Sequence, residues 1–458
     1  MLRRVMRKQR GQRTFVSDIE KAFLQYKIHP DHRTFLRFFW PLGISRDRNA
    51  PIKEFWSTVL DFGIISSPFI HCAGIKLHIT QLIKEHPERS SLLQDIDENF
   101  YMDDQVASAN SVDEGLEIFK FMLDAFSAGG FKLRRWATND PALASRMRSL
   151  EKDPDIQILS DQPDFKFLGI AWIQSADCLL IIIQAAQRTL LSNLPSKRTL
   201  LKGVAQIFDP LGFISPITIR AKILLQSVWK QKIDWDDRLS GESLEAFENF
   251  AGSLDEARAV FANRNIVTAR EIAKRELHAF CDSSMEAFAT VVYIRELLSS
   301  GGAVVHFVAS RARVAPLKSE FSIHRLELIG AVLSARLVDR VKSYLNCHFD
   351  SVHYWSDNSP TLHRIKDSPS RWKAFVANRI REIQSLSGPS EWDYVVSAEN
   401  PADMLSRGTS MADEKSRSMW LEGPPWLLKS GRPTVAHELN DFFESEDKVR
   451  AEKKSQGA

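Results

Sequence analysis

"FYMDDQVAS" runs from Phe100 to Ser108 and sets two adjacent carboxylates, Asp103 and Asp104, between an apolar run and a small, weakly polar one. The stretch reads as strand, turn, strand. An acidic turn is ordinary in itself, because Asp bonds its own backbone and tolerates unusual dihedrals. A tight turn that presents carboxylates from a rigid hairpin also suits Mg²⁺, a hard ion that takes oxygen ligands and keeps several waters. A third carboxylate elsewhere decides between a solvated turn and a metal site.

Asp18 supplies one. It closes the apolar start of "TFVSDIEKAFLQYKI", which passes from a strand into a short helical turn. If that strand neighbours the acidic turn in one sheet, Asp18, Asp103 and Asp104 converge at one edge. Held close, such charges raise one another's pKa unless a cation neutralises them. Paired Mg²⁺ would do so, and would serve an in-line phosphoryl displacement. A second set lies downstream. Asp282 ends the strand "HAFCD", Glu327 sits in the helix "HRLELIG", Asp357 ends "VHYWSD" and Asp403 follows "ENPA". Each alone reads equally as a surface charge or a helix cap, Asp403 above all. Together they point to a shared locus.

The rest of the chain frames these sets. With 458 residues it has room for about three domains of the usual size. Its 44% apolar and 26% charged residues are those of a globular protein, and a net charge of +3 neither announces nor excludes a nucleic-acid partner. Cys72, Cys178, Cys281 and Cys347 are far apart and form no CxxC pair, which counts against a disulfide framework or a zinc site. No apolar run reaches the ~18 residues of a membrane span. An intracellular location, cytoplasmic or nuclear, is expected. "MLRRVMRKQRGQR" holds six basic residues and no acid, and reads as a basic arm or the stub of an upstream domain. "STVLDFGIISSPFIHCAGIKLHITQLI" reads as a strand, a break and a long helix, and "SVDEGLEIFKFMLDAFSAGG" as a helix with a double-glycine stop. From about Thr189 to Val267 the texture is helical. From Glu276 three strands, a helix, a strand, a helix and a strand form a compact α/β domain.

In series these segments resemble the polymerase-to-ribonuclease H part of a BEL/Pao-type LTR retrotransposon polyprotein, from about Thr14 to Leu428. "VSDIEKAFLQYKI", "FGIISSPF" and "YMDD" resemble its first three polymerase motifs, "FKLRRWATN" and "FKFLGIAWI" the segments after them. "IFDPLGFISPITIRAKILLQSVW" and "WKAFVANRIREIQ" are similar to Pao elements in particular. "CDSSMEAFATVVYIR", "RLELIGA", "YWSDNSPTL" and "NPADMLSRG" resemble the ribonuclease H motifs, and "WLEGPPWL" the segment that follows. The resemblance implies that Asp18, Asp103 and Asp104 bind the polymerase metals, and that Phe23 excludes a ribose 2′-hydroxyl. Tyr101 and Lys132 join Phe23 as implied substrate-binding positions. It implies that Asp282, Glu327, Asp357 and Asp403 are the ribonuclease H carboxylates, with Mg²⁺ or Mn²⁺ as cofactor.

The expected architecture is an α+β palm-like sheet domain with its fingers missing, a helical connection, and a C-terminal α/β ribonuclease H-like domain. The boundaries are a basic arm over 1–13, a partial reverse transcriptase palm/thumb-like region over 14–175, and a mainly helical connection over 176–270. A ribonuclease H-like domain over 271–410 and a family tail with a disordered C-terminus over 411–458 complete it. Only some thirteen residues precede the first motif, where the family's fingers should lie. This suggests a truncated reading frame and counts against RNA-directed DNA polymerase activity. Ser57 and Asp61 also stand where a more basic approach to the second motif is expected. No Asp-Thr-Gly or Asp-Ser-Gly is present, so aspartic peptidase activity is not expected. The expected partners are RNA–DNA hybrid, template-primer, deoxynucleoside triphosphates and other polyprotein products, with no membrane. A catalytically inactive or domesticated remnant that binds nucleic acid or protein is the alternative.

Overall fold

The computed structural model describes residue 6 and residues 13–42, 51–151, 153, 156–159, 166–167, 169–267, 271–317, 321–429 and 452–453. The expected basic arm, but for positions 6 and 13, and most of the expected disordered C-terminus lie outside the described residues. The chain forms two compact units, one built on Gly11–Gln162 and the other on Asp177–Ala458.

The first unit holds the strands β1 (Arg13–Ile19), β2 (Arg37–Pro41), β3 (Ile52–Trp56), β4 (Asp104–Ala109), β5 (Leu133–Thr138) and β6 (Ile158–Leu159). Its helices are α1 (Ser67–Glu85), α2 (Ser90–Asn99), α3 (Val112–Ala128) and α4 (Pro141–Leu150). The main sheet runs β4-β1-β5-β6, with β1 antiparallel to both neighbours. Phe15 and Ile19 of β1 join Ile75 and Ile79 of α1, Phe119 and Phe126 of α3, and Trp136 of β5 in one core. Ser111 caps α3, its side chain accepting from the Glu114 N–H at 3.1 Å. This satisfies a first-turn donor that the helix cannot.

Two local expectations are corrected here. The strand expected at the start of Phe100–Ser108 shrinks to one bridge, Tyr101 with Asp104, because a helix runs up to it. Leu93, Ile96 and Phe100 recur at helical spacing and are buried, so α2 runs on to Asn99. The turn then closes on itself, Tyr101 and Asp104 exchanging main-chain hydrogen bonds of 2.9 Å with Met102 at φ 52. The strand expected at "STVLDFG" shrinks to one bridge, Lys27 with Val59. There the Ser57 hydroxyl donates to the Val59 carbonyl at 2.9 Å, a local bond that competes with a ladder. β2 and β3 form a hairpin of their own, on which Phe39, Trp40 and Ile52 are 72%, 57% and 69% exposed.

The second unit opens with a small sheet of β7 (Lys166–Phe167), β8 (Ile170–Ile173), β9 (Cys178–Leu180) and β10 (Ala262–Asn263). Between β9 and β10 run α5 (Gln184–Ser192), α6 (Lys197–Ala205), α7 (Ser215–Lys230) and α8 (Gly241–Ser253). A five-stranded sheet follows, built from β11 (Ile272–Ser283), β12 (Ala287–Leu298), β13 (Ala303–Val314), β14 (Ser351–Ser356) and β15 (Trp392–Tyr394). Its order is β13-β12-β11-β14-β15, the first three antiparallel and β14 and β15 parallel to β11. The helices are α9 (Ile323–Leu345), α10 (Ser359–Lys366), α11 (Ala374–Leu386), α12 (Pro401–Arg407) and α13 (Glu414–Glu422). α10 was not foreseen: "SPTLHRIK" is short, and its start is set by Asn358, whose side chain accepts from the Thr361 N–H at 2.9 Å.

Two glycines fix how helices meet this sheet. A Cβ on Gly330 of α9 would sit 2.9 Å from Ser283 Oγ and 3.4 Å from the Asp282 carbonyl, so its absence lets the helix approach the end of β11. Gly212 lies at φ +85 in the loop before α7, where a Cβ would meet Ser310 Oγ at 2.2 Å and its carbonyl at 2.8 Å. In that loop the buried Asp209 carboxylate accepts from the N–H groups of Gly212, Phe213 and Ile214 at 2.8–2.9 Å. Ser310 of β13 donates through its N–H to Leu211 and through its hydroxyl to Gly212, both at 2.8 Å. "FDPLGF" thus seats the helical segment on the sheet.

Candidate active site

In the second unit β11 and β14 lie parallel, with Cys281 opposite Ser356. Asp282 and Asp357, the next residue on each chain, therefore follow at the same level of neighbouring strands. Glu327 comes from the second turn of α9, which Gly330 holds close to the end of β11. All three line a cleft of about 570 Å³, together with Ser283, Asn358 and Arg407. Asp282 and Glu327 are only 4% and 5% exposed. Asp403 stands in the first turn of α12 and gives its carboxylate to Arg407, Nε to Oδ1 at 2.5 Å. It does not cap that helix. Asn400 does, accepting from the Ala402 N–H at 3.1 Å.

The electrostatics are those of crowded, buried acids. Burial pushes the Asp282 carboxyl up to about 6, with the charges of Asp357 and Asp403 adding and the Ser406 hydroxyl bond opposing. Burial, then Asp282 and Asp357, hold Glu327 well above the ordinary carboxylate range. Burial also raises Asp357, against hydrogen bonds from Ser397 and Asn400. Ser406 donates to Asp282 Oδ2, and Asn400 Nδ2 donates to Asp357 Oδ1 at 3.3 Å and to the Cys281 carbonyl at 3.1 Å. Glu327 Oε2 is buried with no hydrogen-bond partner. An orphaned carboxylate oxygen facing two like charges fits a site that takes a hard divalent cation. Ser406, Arg407, Asn400 and Asn358 were missed from sequence as supports, although "NPADMLSRG" and "YWSDNS" carried them.

The first unit places its acids at one end of the β1–β4 pair. Asp18 lies directly across from Asp104, and the Ile19 N–H donates to the Asp103 carbonyl at 2.9 Å. Burial raises the Asp18 carboxyl, with Arg135 opposing and Asp103 adding. Arg135 Nη1 is 3.9 Å from Asp18 Oδ2, while Oδ1 is buried without a hydrogen-bond partner. Phe23 sits edge-on to Phe62 and His71, at ring distances of 5.0 and 5.5 Å. Tyr101 is fixed by the turn, and the Lys132 ammonium pairs with Asp153 at 3.0 Å.

A third cluster, Glu276, His278 and His353, lies near the other end of the same two strands. Its ligand atoms fall within 4.8 Å of one another, and all three residues are buried. Its donor pattern does not suit a metal. Trp355 Nε1 donates to His278 Nδ1 at 3.1 Å, and an indole can only donate. The neutral ring therefore carries its proton on Nε2, which faces Glu276 Oε2 at 3.4 Å. Burial holds His278 down to about 4. The His278 hydrogen bond, with Arg295 at 3.0 Å, holds Glu276 down to about 2. The cluster is a charge-balanced hydrogen-bond network under Trp426.

Residues 196–358 match the family described as Pao retrotransposon-like RNaseH-like domain, which takes in Asp282, Glu327 and Asp357. No curated relative matches the sequence. Among solved structures, a foamy viral protease-reverse transcriptase in complex with RNA/DNA hybrid is similar, at 15% identity and TM-score 0.50, over 86% of this chain and 45% of that one. A foamy viral protease-reverse transcriptase dRH in complex with ds DNA is similar at 14% identity and TM-score 0.50, over 84% of this chain and 57% of that one. The chain thus spans about half the length of the solved chains it matches. No helix among the described residues is long and apolar enough to cross a membrane. The mixed α/β chain is therefore similar to Pao retrotransposon and retroviral-type reverse transcriptase–ribonuclease H proteins, in sequence over 196–358 and in fold over most of its length.

Proposed function

We propose that the second unit hydrolyses the RNA strand of an RNA–DNA hybrid, with Asp282, Glu327, Asp357 and Asp403 as the residues that hold Mg²⁺ or Mn²⁺. The observation that carries this is the cleft itself: buried carboxylates from two strand ends and a helix, raised by burial and then by one another. Bound divalent ions would neutralise that charge and activate an oxygen nucleophile for phosphodiester cleavage. The chain's own groups orient the acids. Ser406 holds Asp282, Asn400 holds Asp357, and Arg407 holds Asp403 at the rim. A hybrid would be gripped through its backbone, its 2′-hydroxyls and its near-A-form shape.

In the same reading, the first unit is a palm-like sheet with Asp18, Asp103 and Asp104 as its metal-binding acids and Phe23, Tyr101 and Lys132 beside the nucleotide. Residues 176–270 are a connection. Polymerase activity of the chain alone is weak or nil, because the aromatic hairpin β2–β3 has no covering layer among the described residues. Two assays on the purified chain with Mg²⁺ test this: release of RNA fragments from a labelled hybrid, and extension of a primer by deoxynucleoside triphosphates. Hybrid cleavage without extension is expected. Robust extension would overturn the polymerase half, and an intact hybrid would overturn the nuclease half in favour of a binding module.

A further inference from the structure

Beside the cleft, on a different face of α9, lies a cluster of cations that hybrid cleavage does not use. Arg325 is in the first turn of α9, two residues before Glu327. Its guanidinium carbon lies 4.7 Å from the Phe375 ring centre, and that of Arg379 on α11 lies 3.4 Å from the same centre. Two guanidiniums on one ring repel: burial first, and then the charge of Arg325, disfavour the charged form of Arg379. Among the described residues Arg379 makes no ion pair, its Nη1 donating to the Phe375 carbonyl at 2.8 Å. Two acids act on Arg379: Glu382, which pairs with Arg336, and Glu452 from the far end of the chain. Arg325 Nε donates to Glu452 Oε1 at 2.5 Å, and the Lys373 N–H donates to the Glu452 carbonyl at 2.9 Å. Lys453 bridges Trp372 and sets its ammonium 5.6 Å over that ring. The fit is incomplete, because Glu452 Oε2 is buried without a hydrogen-bond partner.

We propose that Arg325 and Arg379 on Phe375 form a docking site for the phosphodiester backbone of a nucleic-acid strand, and that Glu452 of the chain's own C-terminal segment occupies it in place of a phosphate. A phosphate offers several acceptor oxygens and matches paired guanidiniums better than one carboxylate that leaves an oxygen unserved. Arg325 stands on the helix that carries Glu327, two residues before it. The segment 452–453 then acts as a competitor in cis. This rests on the proposed hybrid substrate, and is separable from it by measuring binding without catalysis.

The test is fluorescence anisotropy of a labelled RNA–DNA hybrid with the full chain in chelator, over a salt series. Glu452→Gln keeps the shape and removes the charge. It tightens binding by roughly three- to tenfold and steepens the log K against log salt slope by about one, as one more phosphate contact would. Adding Arg379→Gln to Glu452→Gln abolishes that gain. Arg379→Gln alone leaves the Arg325–Glu452 pair in place and weakens binding at least about twofold, a reading that survives if Glu452→Gln fails to fold. Unchanged affinity in Glu452→Gln, or a gain that persists in the double variant, overturns the proposal. Hydrolysis with Mg²⁺ is scored separately. Tighter binding with no cleavage keeps the docking site and sinks the nuclease reading, and cleavage with no effect at Glu452 does the reverse.

Discussion

Asp282 and Asp357 follow directly on Cys281 and Ser356, a register pair of neighbouring parallel strands, and burial, with the charge of Asp357 adding, raises the Asp282 carboxyl to about 6. One strand register thus sets two buried acids side by side.

Asp282→Asn separates chemistry from folding. The amide keeps the shape and can still accept from Ser406, but it cannot supply charge to a cation. Hybrid cleavage falls by more than about a hundredfold, beyond the 10–100-fold typical of losing an outer-shell partner. In chelator the melting temperature is about unchanged at pH 4 and higher at pH 7, because one buried, repelling charge is gone. A large drop would mean that the carboxylate holds the fold, and the metal role would have to be withdrawn.

The same pair predicts a pH dependence. The folded chain keeps a proton on Asp282 up to about pH 6, whereas an unfolded Asp loses it near 4. Between those values the folded state binds more protons, so this group's contribution is full below about pH 4 and is lost as pH rises to 6. Urea titrations in chelator at pH 4 and pH 7 should show Asp282→Asn gaining on the wild type by roughly 2–3 kcal/mol over that range. A gain that is flat, or that runs the other way, contradicts the raised carboxyl.

Glu276→Ala probes the buried network. Arg295, 3% exposed, would keep its bonds to the main-chain oxygens of Leu427 and Lys429 and lose its ion pair with Glu276. Removing one partner of a buried ion pair costs about 3–5 kcal/mol, readable in denaturant midpoints. Zn²⁺ added to the wild type should give no stabilisation that depends on His278 or His353. A zinc-dependent rise in melting temperature, lost in His353→Ala, would show a metal centre instead.

Gly212→Ala tests the seat of the helical segment. The new Cβ would meet the Ser310 carbonyl at 2.8 Å on a backbone at φ +85, so both space and conformation oppose it. A loss of about 1–3 kcal/mol is expected, the range for strain at a special dihedral. Gly252→Ala on α8, where nothing lies within 4 Å, is the control and should be neutral or slightly stabilising. Equal effects at both positions would mean that the loop has room to relax.

By itself the sequence determined the element types wherever a hydrophobic period was long. α9 and α3 follow from their spacing, and the strands of the five-stranded sheet from runs such as "AFATVVYI". It also determined which acids to watch, because the order of motifs is local information. It did not determine the helix before Phe100, where a ten-residue amphipathic turn and a strand look alike until Leu93 and Ile96 find a core. Nor could it show that Glu276, His278 and His353 meet. They alternate along two segments some seventy residues apart, and only the parallel pairing of His278 with His353 stacks them. The tertiary structure alone decided that Asp403 turns to Arg407, that Gly330 brings Glu327 over β11, and that Glu452 reaches Arg325. Each depends on the packing of elements distant in sequence, and local propensity carries no term for that.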